Sequence, residues 1–461
     1  MLGAKIAVAR AAGALSRRSG RGATSLPGKV LLRMEPDAIA RLAGRLPRGS
    51  AVISATNGKT TTAAMVAAIL ERSGTRLVHN RAGANMAGGI ASVLLGAARG
   101  DGIDGDAGLF EVDEFWLDRV VPALKPRALL LANLFRDQLD RYGELETIAD
   151  RWAAAVAAAP ATQLVLNADD PLVADLGRVR AQDTGASAAA AVTYFGVQDD
   201  AVALHGMAHA SDSKHCRRCG APLTYDAIYM GHLGRWHCPN GDTHRPEPGV
   251  FATAITLDGT RAARFELHIA GEQATVALPL PGLYNVYNAL GAAALTSAFG
   301  APLADIVAGL GSTQAAFGRA ETVQIADREL AILLVKNPAG ANEVLRTLAL
   351  DPGAHDVLAV LNDRIADGRD ISWVWDADFE AIARHVRRVT CSGTRAAELA
   401  VRLKYAGVAP ERLHVEHDLE RALDAALADG EGRLIALPTY TAMLALRELL
   451  VARGAATGSF A

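Results

Sequence analysis

The sequence feature that most limits the fold of this chain is a short apolar segment followed by a glycine-containing turn and a helical pattern. Residues 51–55 form a short apolar run interrupted only by Ser54, the turn holds Gly58, and apolar residues recur at helical spacing over 60–71. A loop between a strand and a helix N-terminus presents backbone N–H groups to phosphate, Lys59 suits terminal phosphate oxygens, and the Thr60 hydroxyl suits magnesium. We therefore predict a nucleotide-phosphate loop. Its binding residues are Thr56, Asn57, Gly58, Lys59, Thr60 and Thr61.

The loop departs from the strict phosphate-loop pattern, which leaves one alternative open. The pattern G-x-x-x-x-G-K-[ST] requires glycine at position 53, where this chain has Ile53. An Asn-Gly turn followed by an ordinary helix cap would give the same local sequence. The strand before the turn and the helix after it favour the phosphate loop.

Further apolar runs alternate with helical patterns along the first half of the chain. Strand candidates lie at 109–112, 128–132 and 164–166, and residues 148–159 have helical spacing. This alternation predicts a parallel sheet with crossover helices, and therefore an α/β fold. The chain has 461 residues, of which 50% are hydrophobic but only 5% aromatic, and small apolar side chains suit helices packed on a parallel sheet.

Shifts in composition divide the chain into segments. A Cys- and His-rich stretch interrupts the first α/β series, and a second series of strand candidates begins after a linker-like region near residue 317. Three segments and one insert are predicted: a basic leader at 1–45, a central ATP-binding domain with a parallel sheet at 46–316, a zinc-ribbon-like insert at 212–248 and a C-terminal α/β domain at 317–461.

Charge and cysteine usage bear on the compartment and on the class of partner. The 47 basic and 50 acidic residues give a net charge of −3, so no global field attracts nucleic acid. Four cysteines are too few for a disulfide scaffold, which favours a cytoplasmic setting. The basic segment before Glu35 has no acidic residue and is too interrupted for a signal peptide. It fits a solvated, partly helical leader or, alternatively, peripheral contact with anionic lipid at the inner face of the membrane.

Polar side chains follow two further strand candidates. Glu111 ends one apolar run, and the stretch from Asn133 to Asp140 follows another. The carboxyl ends of parallel strands meet at one edge of a sheet, where the phosphate loop also begins. Magnesium prefers oxygen ligands, so we predict that Glu111 and Thr60 hold it. The alternative is a solvated carboxylate without a metal.

The insert contains a cysteine pattern typical of a structural metal site. Cys216 and Cys219 form a C-x-x-C knuckle, and Cys238 follows in the same insert. A complete zinc ribbon would repeat the knuckle, but position 241 is glycine. A fourth zinc ligand would therefore come from Asp242, His244 or His237, and we take Asp242 as the working candidate. The alternative is a degenerate ribbon held together by its own packing.

Taken in order, these segments resemble the Mur ligase family, which includes folylpolyglutamate synthases. The family has A-T-N-G-K-T-T-type loops, a strand-end glutamate and an N-x-x-x-D-x-L-D stretch, and the resemblance covers nearly the whole chain from residue 54 onward. Further matching segments are N-A-D-D-P at 167–171, P-G-L-Y-N-V-Y-N at 281–288, G-R-A-E at 318–321 and K-N-P at 336–338. The resemblance implies ATP and magnesium at the loop and Glu111. It also implies that Asn285 and Asn288 lie near the adenine and Arg319 near the nucleotide.

Two residues of this chain differ from those of most Mur ligases and indicate one group within the family. Amino-acid-adding Mur ligases commonly have histidine where this chain has Gln138 and again where it has Lys336. Both departures, the Cys-rich insert and the run N-D-R-I-A-D-G-R-D-I-S-W-V-W-D at 362–376 are similar to the MurT-type subunits of lipid II isoglutaminyl synthases. This resemblance implies that the chain is an ATP-dependent carbon-nitrogen ligase.

That resemblance implies amidation of the α-carboxylate of a D-isoglutamate residue in lipid II through an acyl phosphate. Ammonia would come from a GatD-like glutaminase partner, whose catalytic cysteine and histidine are joined by an aspartate of the synthetase. Asp363 is the first candidate, followed by Asp367 and Asp370, although Asp and Gly also stabilise ordinary turns. The alternative functions are an amino-acid-adding or folylpolyglutamate synthase-like ligase, and a nucleotide-binding scaffold without catalysis.

Overall fold

Two separate sheets organise the chain. The computed structural model describes residues 2–18, 25–80, 84–137, 145–184, 192–207, 211–314, 320–428, 430 and 432–456. The strands are β1 (Ser50–Ser54), β2 (Leu77–His79), β3 (Ala98–Arg99), β4 (Gly102–Ile103), β5 (Ala107–Glu111), β6 (Ala128–Leu131), β7 (Gln163–Asn167), β8 (Val192–Val197), β9 (Thr224–Met230), β10 (Leu233–His237), β11 (Val250–Asp258), β12 (Ala262–Ile269), β13 (Glu272–Leu278), β14 (Glu321–Ile325), β15 (Arg328–Ile332), β16 (His355–Val360), β17 (Val386–Ser392), β18 (Leu413–Val415) and β19 (Leu434–Pro438).

Helices cover the faces of both sheets. They are α1 (Leu2–Arg18), α2 (Leu26–Met34), α3 (Ala38–Ala43), α4 (Lys59–Arg72), α5 (Ala87–Ala97), α6 (Leu117–Leu124), α7 (Leu145–Ala157), α8 (Pro171–Thr184), α9 (Leu283–Ala298), α10 (Leu303–Gly311), α11 (Pro338–Ala349), α12 (Ala396–Tyr405), α13 (Leu419–Ala428) and α14 (Tyr440–Ala452). Within the described parts of the chain, no helix combines the length and the apolar character needed to cross a membrane.

The larger sheet has nine strands in the order β13-β12-β11-β8-β7-β6-β1-β5-β2. Its seven strands from β11 to β2 pair in parallel, which confirms the predicted parallel sheet around the phosphate loop. The far edge differs because β11, β12 and β13 pair antiparallel. The connections between these three strands are too short for a crossover, so each strand must turn back beside the previous one.

The described part of the predicted leader is packed, not solvated. Leu2, Ile6 and Ala9 lie on one stripe of α1 and are buried in the same apolar core as Leu31 of α2. On α2, a Cβ at Gly28 would lie 1.9 Å from the Gly88 carbonyl oxygen of α5, so the two helices touch through backbone. The expectation of a solvated leader is therefore wrong for these helices, because their apolar spacing forms a buried face.

The insert forms an antiparallel hairpin of β9 and β10 that rests on the larger sheet. Trp236 donates its indole N–H to the Ala168 carbonyl at 3.1 Å, and the Gly234 N–H donates to the Asp169 carbonyl at 3.0 Å. The buried Asp169 carboxylate accepts from Arg245 Nε at 2.6 Å and from the Tyr287 hydroxyl at 2.6 Å. One carboxylate thus joins the end of β7, the insert and α9.

The smaller sheet has the order β14-β15-β19-β16-β17-β18, with β14 antiparallel and the other strands parallel. It confirms the second α/β series. Cys391 of β17 is fully buried, and burial raises the pKa of its thiol to about 12, as expected for an unreactive core cysteine. The domain boundary at 316–317 falls within 315–319, outside the described residues, and stays a prediction.

Candidate functional site

The phosphate loop lies at the point where the larger sheet reverses its strand order. β1 pairs with β5 on one side and with β6 on the other, so the chain segments after these three strands meet at one edge. A cavity of about 290 Å³ opens there. Its walls include the whole loop from Thr56 to Thr61, Glu111, Asn133, Met230 of the insert and Lys336 of the second α/β series. The first α/β series, the insert and the second α/β series therefore all contribute to the cavity wall.

Glycine is required at one position of the loop. Gly58 has φ +86°, and a Cβ there would lie 2.0 Å from the Asn288 Oδ1 atom. The loop is also held from the side, because the Asn57 N–H donates to Asn133 Oδ1 at 2.9 Å and Asn133 Nδ2 donates to the Asn57 carbonyl at 3.0 Å. The close approach of Asn288 leaves room only for a residue without a side chain at Gly58.

Lys59 is nearly buried beside a carboxylate that the sequence did not single out. Its Nζ atom lies 2.7 Å from Glu114 Oε2 and also donates to the Ala55 carbonyl. The two side chains are 11% and 4% exposed. Burial lowers the pKa of the Lys59 ammonium, but the charge and hydrogen bond of Glu114, together with the charges of Glu111 and Asp113, hold that pKa above its ordinary value. Lys59 is therefore a fixed positive charge in the cavity wall.

Thr60 and Glu111 form an oxygen-rich corner suited to a divalent cation. The Thr60 hydroxyl lies 3.0 Å and 3.2 Å from the two oxygens of the Glu111 carboxylate, which is 5% exposed. Asn80 fixes the end of β5, because its side chain accepts from the Glu111 N–H at 2.9 Å and donates to the Glu111 carbonyl at 2.8 Å. A hydroxyl and a buried carboxylate are hard donors of the kind that magnesium takes.

Asn285 and Asn288 both line the cavity from α9. Asn288 Nδ2 donates to Asn285 Oδ1 at 3.0 Å, Asn285 Nδ2 donates to the Pro281 carbonyl at 2.7 Å, and the Thr62 hydroxyl donates to Asn288 Oδ1 at 3.2 Å. This chain of hydrogen bonds orients both amides against the loop, while their contact with adenine stays a prediction. Arg319 lies outside the described residues.

The second α/β series closes the cavity through residues that the predicted site omitted. Asn337 Nδ2 donates to Asn57 Oδ1 at 3.0 Å, and Asn337 Oδ1 caps α11 by accepting from the Gly340 N–H at 2.8 Å. Lys336 donates to the Thr56 carbonyl at 3.3 Å and forms an ion pair with Asp137. Lys336 and Asn337 belong to the K-N-P segment, and Asp137 belongs to the Asn133 to Asp140 stretch. Neither segment alone could show that Lys336 pairs with Asp137.

The three candidate partner aspartates have different surroundings. Asp363 is partly exposed and accepts from the Thr394 hydroxyl and from Arg395 Nε, both at 2.8 Å, and these hydrogen bonds hold its pKa below the ordinary value. Asp367 is only 3% exposed, and both its oxygens accept from Thr441. Asp370 is exposed and caps a turn through the Ser372 N–H. Asp367 therefore anchors the loop, whereas Asp363 and Asp370 are accessible.

The cysteines of the insert converge with the predicted fourth donor. One ligand atom from each of Cys216, Cys219, Cys238 and Asp242 lies within 4.8 Å of all the others. The Cys219 and Cys238 sulfur atoms are 3.4 Å apart, close to the separation of about 3.8 Å for thiolates on one tetrahedral zinc. Three thiols and one carboxylate thus offer a tetrahedral donor set.

Comparison with known proteins places this geometry in a family. Residues 53–220 match the Mur ligase middle domain family, and residues 334–443 match the MurT ligase C-terminal family. A structure of a pseudomurein peptide ligase type C from Methanothermus fervidus shares the fold, with a TM-score of 0.67 and 23% identity over 89% of this chain and 80% of that one.

Two relatives match along almost their full length. The lipid II isoglutaminyl synthase (glutamine-hydrolyzing) subunit MurT of Streptococcus pneumoniae is 33% identical over 95% of this chain and 94% of its own. The protein of the same name from Staphylococcus aureus strain N315 is 32% identical, covering 96% of this chain and 97% of its own. The chain therefore belongs to the MurT family of Mur ligases.

Proposed function

We propose that this chain is the ATP-dependent synthetase subunit of a glutamine amidotransferase that amidates D-isoglutamate in lipid II. The observation that carries the proposal is the convergence of Lys59 with the Thr60 and Glu111 pair in one cavity, closed by Lys336 where the amino-acid-adding ligases commonly have histidine. The names of the full-length relatives support the substrate and the amide product. They also support a partner subunit that hydrolyses glutamine.

The side chains of the cavity suit phosphoryl transfer to a carboxylate. ATP with magnesium would supply the phosphoryl group that converts the substrate carboxylate into an acyl phosphate. Thr60 and Glu111 would hold the metal, and the fixed charge of Lys59 would offset the charge that develops on the transferred phosphoryl group. The Asn57 and Asn337 side chains hold the two α/β series together beside the phosphate loop.

ATP turnover tests this proposal against a scaffold that has lost catalysis. Release of ADP and phosphate is expected to rise well above background only when lipid II, glutamine and the partner subunit are all present, because the acyl phosphate forms on the substrate. Turnover that stays at background with every component present would favour the scaffold.

We further propose that Asp363 completes the active site of a GatD-like partner. Asp363→Asn is expected to lower glutaminase activity of the complex by on the order of 10⁴-fold, because a neutral amide no longer orients a catalytic histidine. The measurement is glutamate release from glutamine, with Asp367→Asn as the matched variant.

Asp367→Asn should act differently. It weakens the anchor to Thr441, so it is expected to lower the melting temperature of the chain rather than the glutaminase rate per folded complex. Unimpaired glutamate release by the Asp363→Asn complex would remove Asp363 from this role.

For the insert we propose structural zinc bound by Cys216, Cys219, Cys238 and Asp242. The purified chain should then carry one zinc ion, and Cys238→Ser should lose it and melt at lower temperature, because metal binding stabilises the folded hairpin. Elemental analysis after dialysis measures the content. Cys391→Ala, in the other sheet, is the control and should keep its zinc. Equal zinc in the Cys238→Ser protein would refute the site.

We propose that the chain acts at the inner face of the cell membrane and contacts it through its N-terminal helices. Exposed Val8 and Leu15 lie on α1 beside basic residues, with no acidic residue before Glu35. Polybasic segments gain about 1 kcal/mol per charge at anionic lipid surfaces. Such contact would bring the chain to the surface that holds a lipid-linked substrate.

A further inference from the structure

A second, smaller cavity adjoins the nucleotide cavity. It has a volume of about 50 Å³, and Asp137 and Lys336 line both cavities. Its lining also includes the exposed residues Asp370, Ser372 and Asp376. The small cavity is therefore lined both by exposed residues of the second α/β series and by two residues of the nucleotide cavity wall.

Asp137 lines both cavities, and among the described residues only one of its two carboxylate oxygens has a hydrogen-bond donor. Its side chain is 6% exposed, and Oδ2 accepts from Lys336 Nζ. Oδ1 is buried and accepts no hydrogen bond from any described residue. A buried carboxylate oxygen without a donor is costly, and such atoms usually have a ligand or a catalytic role. A small molecule that donates a hydrogen bond to Asp137 Oδ1 would offset this cost.

The volume and the charged lining of the small cavity limit which molecules could donate this hydrogen bond. A volume of about 50 Å³ holds one or two molecules the size of water and is too small for an amino acid. The lining has four carboxylates, from Asp137, Asp367, Asp370 and Asp376, against the two cations Arg136 and Lys336. A small cation with N–H donors fits both the space and the excess of negative charge.

We infer that the small cavity admits ammonium to the reaction centre and that Asp137 binds it and removes a proton from it. This inference rests on the proposed amidation. Ammonium gives one proton to the Asp137 carboxylate, and the freed lone pair attacks the carbonyl carbon of the acyl phosphate. A C–N bond forms as the bond between the carbonyl carbon and the bridging oxygen of the acyl phosphate breaks. Phosphate leaves with the electron pair of the broken bond and takes a second proton from the nitrogen atom. Asp137 is then a catalytic residue, and Lys336 positions it.

The test separates the ammonia step from formation of the acyl phosphate. The complex is given ATP, magnesium and lipid II with ammonium chloride in place of glutamine, or with hydroxylamine. Hydroxylamine is largely uncharged near neutral pH and needs no base, so it traps the acyl phosphate directly as a hydroxamate. Asp137→Asn is expected to lower amide formation about 10²-fold or more, the usual contribution of a general base, while hydroxamate forms near the wild-type rate.

The dependence of the rate of amide formation on pH provides a second test. Amide formation by Asp137→Asn should rise with pH in step with free ammonia, whereas the wild-type profile should be flatter because the enzyme accepts ammonium. Asp137→Glu keeps a carboxylate and should recover part of the ammonium-dependent rate. Asp305→Asn, whose carboxylate contacts Arg72 and Ser73 outside both cavities, should match the wild type.

Two outcomes would overturn the inference alone. One is amide formation by Asp137→Asn at the wild-type rate, and the other is equal loss of amide and hydroxamate, which would assign Asp137 to acyl phosphate formation. Absence of hydroxamate with the wild-type complex would instead overturn the proposed function and, with it, this inference.

Discussion

Lys59→Ala is expected to abolish ATP-dependent amidation, with a loss in turnover of about 10²–10³-fold or more. The reason is electrostatic, since removal of one preorganised donor from a transition state typically costs that much. The same change leaves the buried Glu114 carboxylate without its ion-pair partner, and breaking a buried pair usually lowers the free energy of unfolding by about 3–5 kcal/mol. Turnover and chemical denaturation must therefore be measured on the same protein.

A double variant separates the two effects of Lys59→Ala. In Lys59→Ala/Glu114→Gln the remaining carboxylate becomes neutral, so most of the lost stability should return while turnover stays low. Lys404→Ala, on the exposed side of α12, is the control and should bind nucleotide like the wild type. Amidation retained by folded Lys59→Ala protein would contradict the assigned role of the phosphate loop.

Asp169→Ala should be strongly destabilising, although Asp169 does not line the cavity. It removes the acceptor of both Arg245 and the Tyr287 hydroxyl and leaves Arg245, with a side chain only 6% exposed, unpaired. The expected loss in the free energy of unfolding is about 3–5 kcal/mol. Tyr287 is one residue from Asn288, so nucleotide affinity should also fall.

Asp200→Ala provides the matched control for Asp169→Ala. Asp200 pairs with Arg235 of the hairpin, but its side chain is 60% exposed, and exposed pairs contribute only about 0–1 kcal/mol. Denaturant unfolding of both variants measures the difference. Equal stability of Asp169→Ala and the wild type would show that the buried carboxylate does not hold the insert to the sheet.

Local sequence patterns predicted the elements whose chemistry depends on neighbours in the chain. The phosphate loop was visible because strand, glycine turn, lysine and helix are consecutive, and Glu111 was visible because it ends an apolar strand. The C-x-x-C knuckle led to the insert, and Asp242 was one of three candidates that only the folded hairpin could distinguish.

Pairings between distant segments were not predictable in the same way. Lys336 and Asp137 meet although 199 residues separate them, and Arg245 reaches Asp169 across 76 residues. No periodicity in either segment encodes such a contact. The run of basic residues before β1 predicts a solvated segment, but the apolar spacing of the same residues buries Leu2, Ile6 and Ala9.

The mass of the product formed from lipid II tests the central proposal most directly. With ATP, magnesium, glutamine and the partner subunit, amidation should lower the substrate mass by about one unit, as follows from replacing a hydroxyl with an amino group. A product heavier by one amino-acid residue would instead identify an amino-acid-adding ligase and contradict the account.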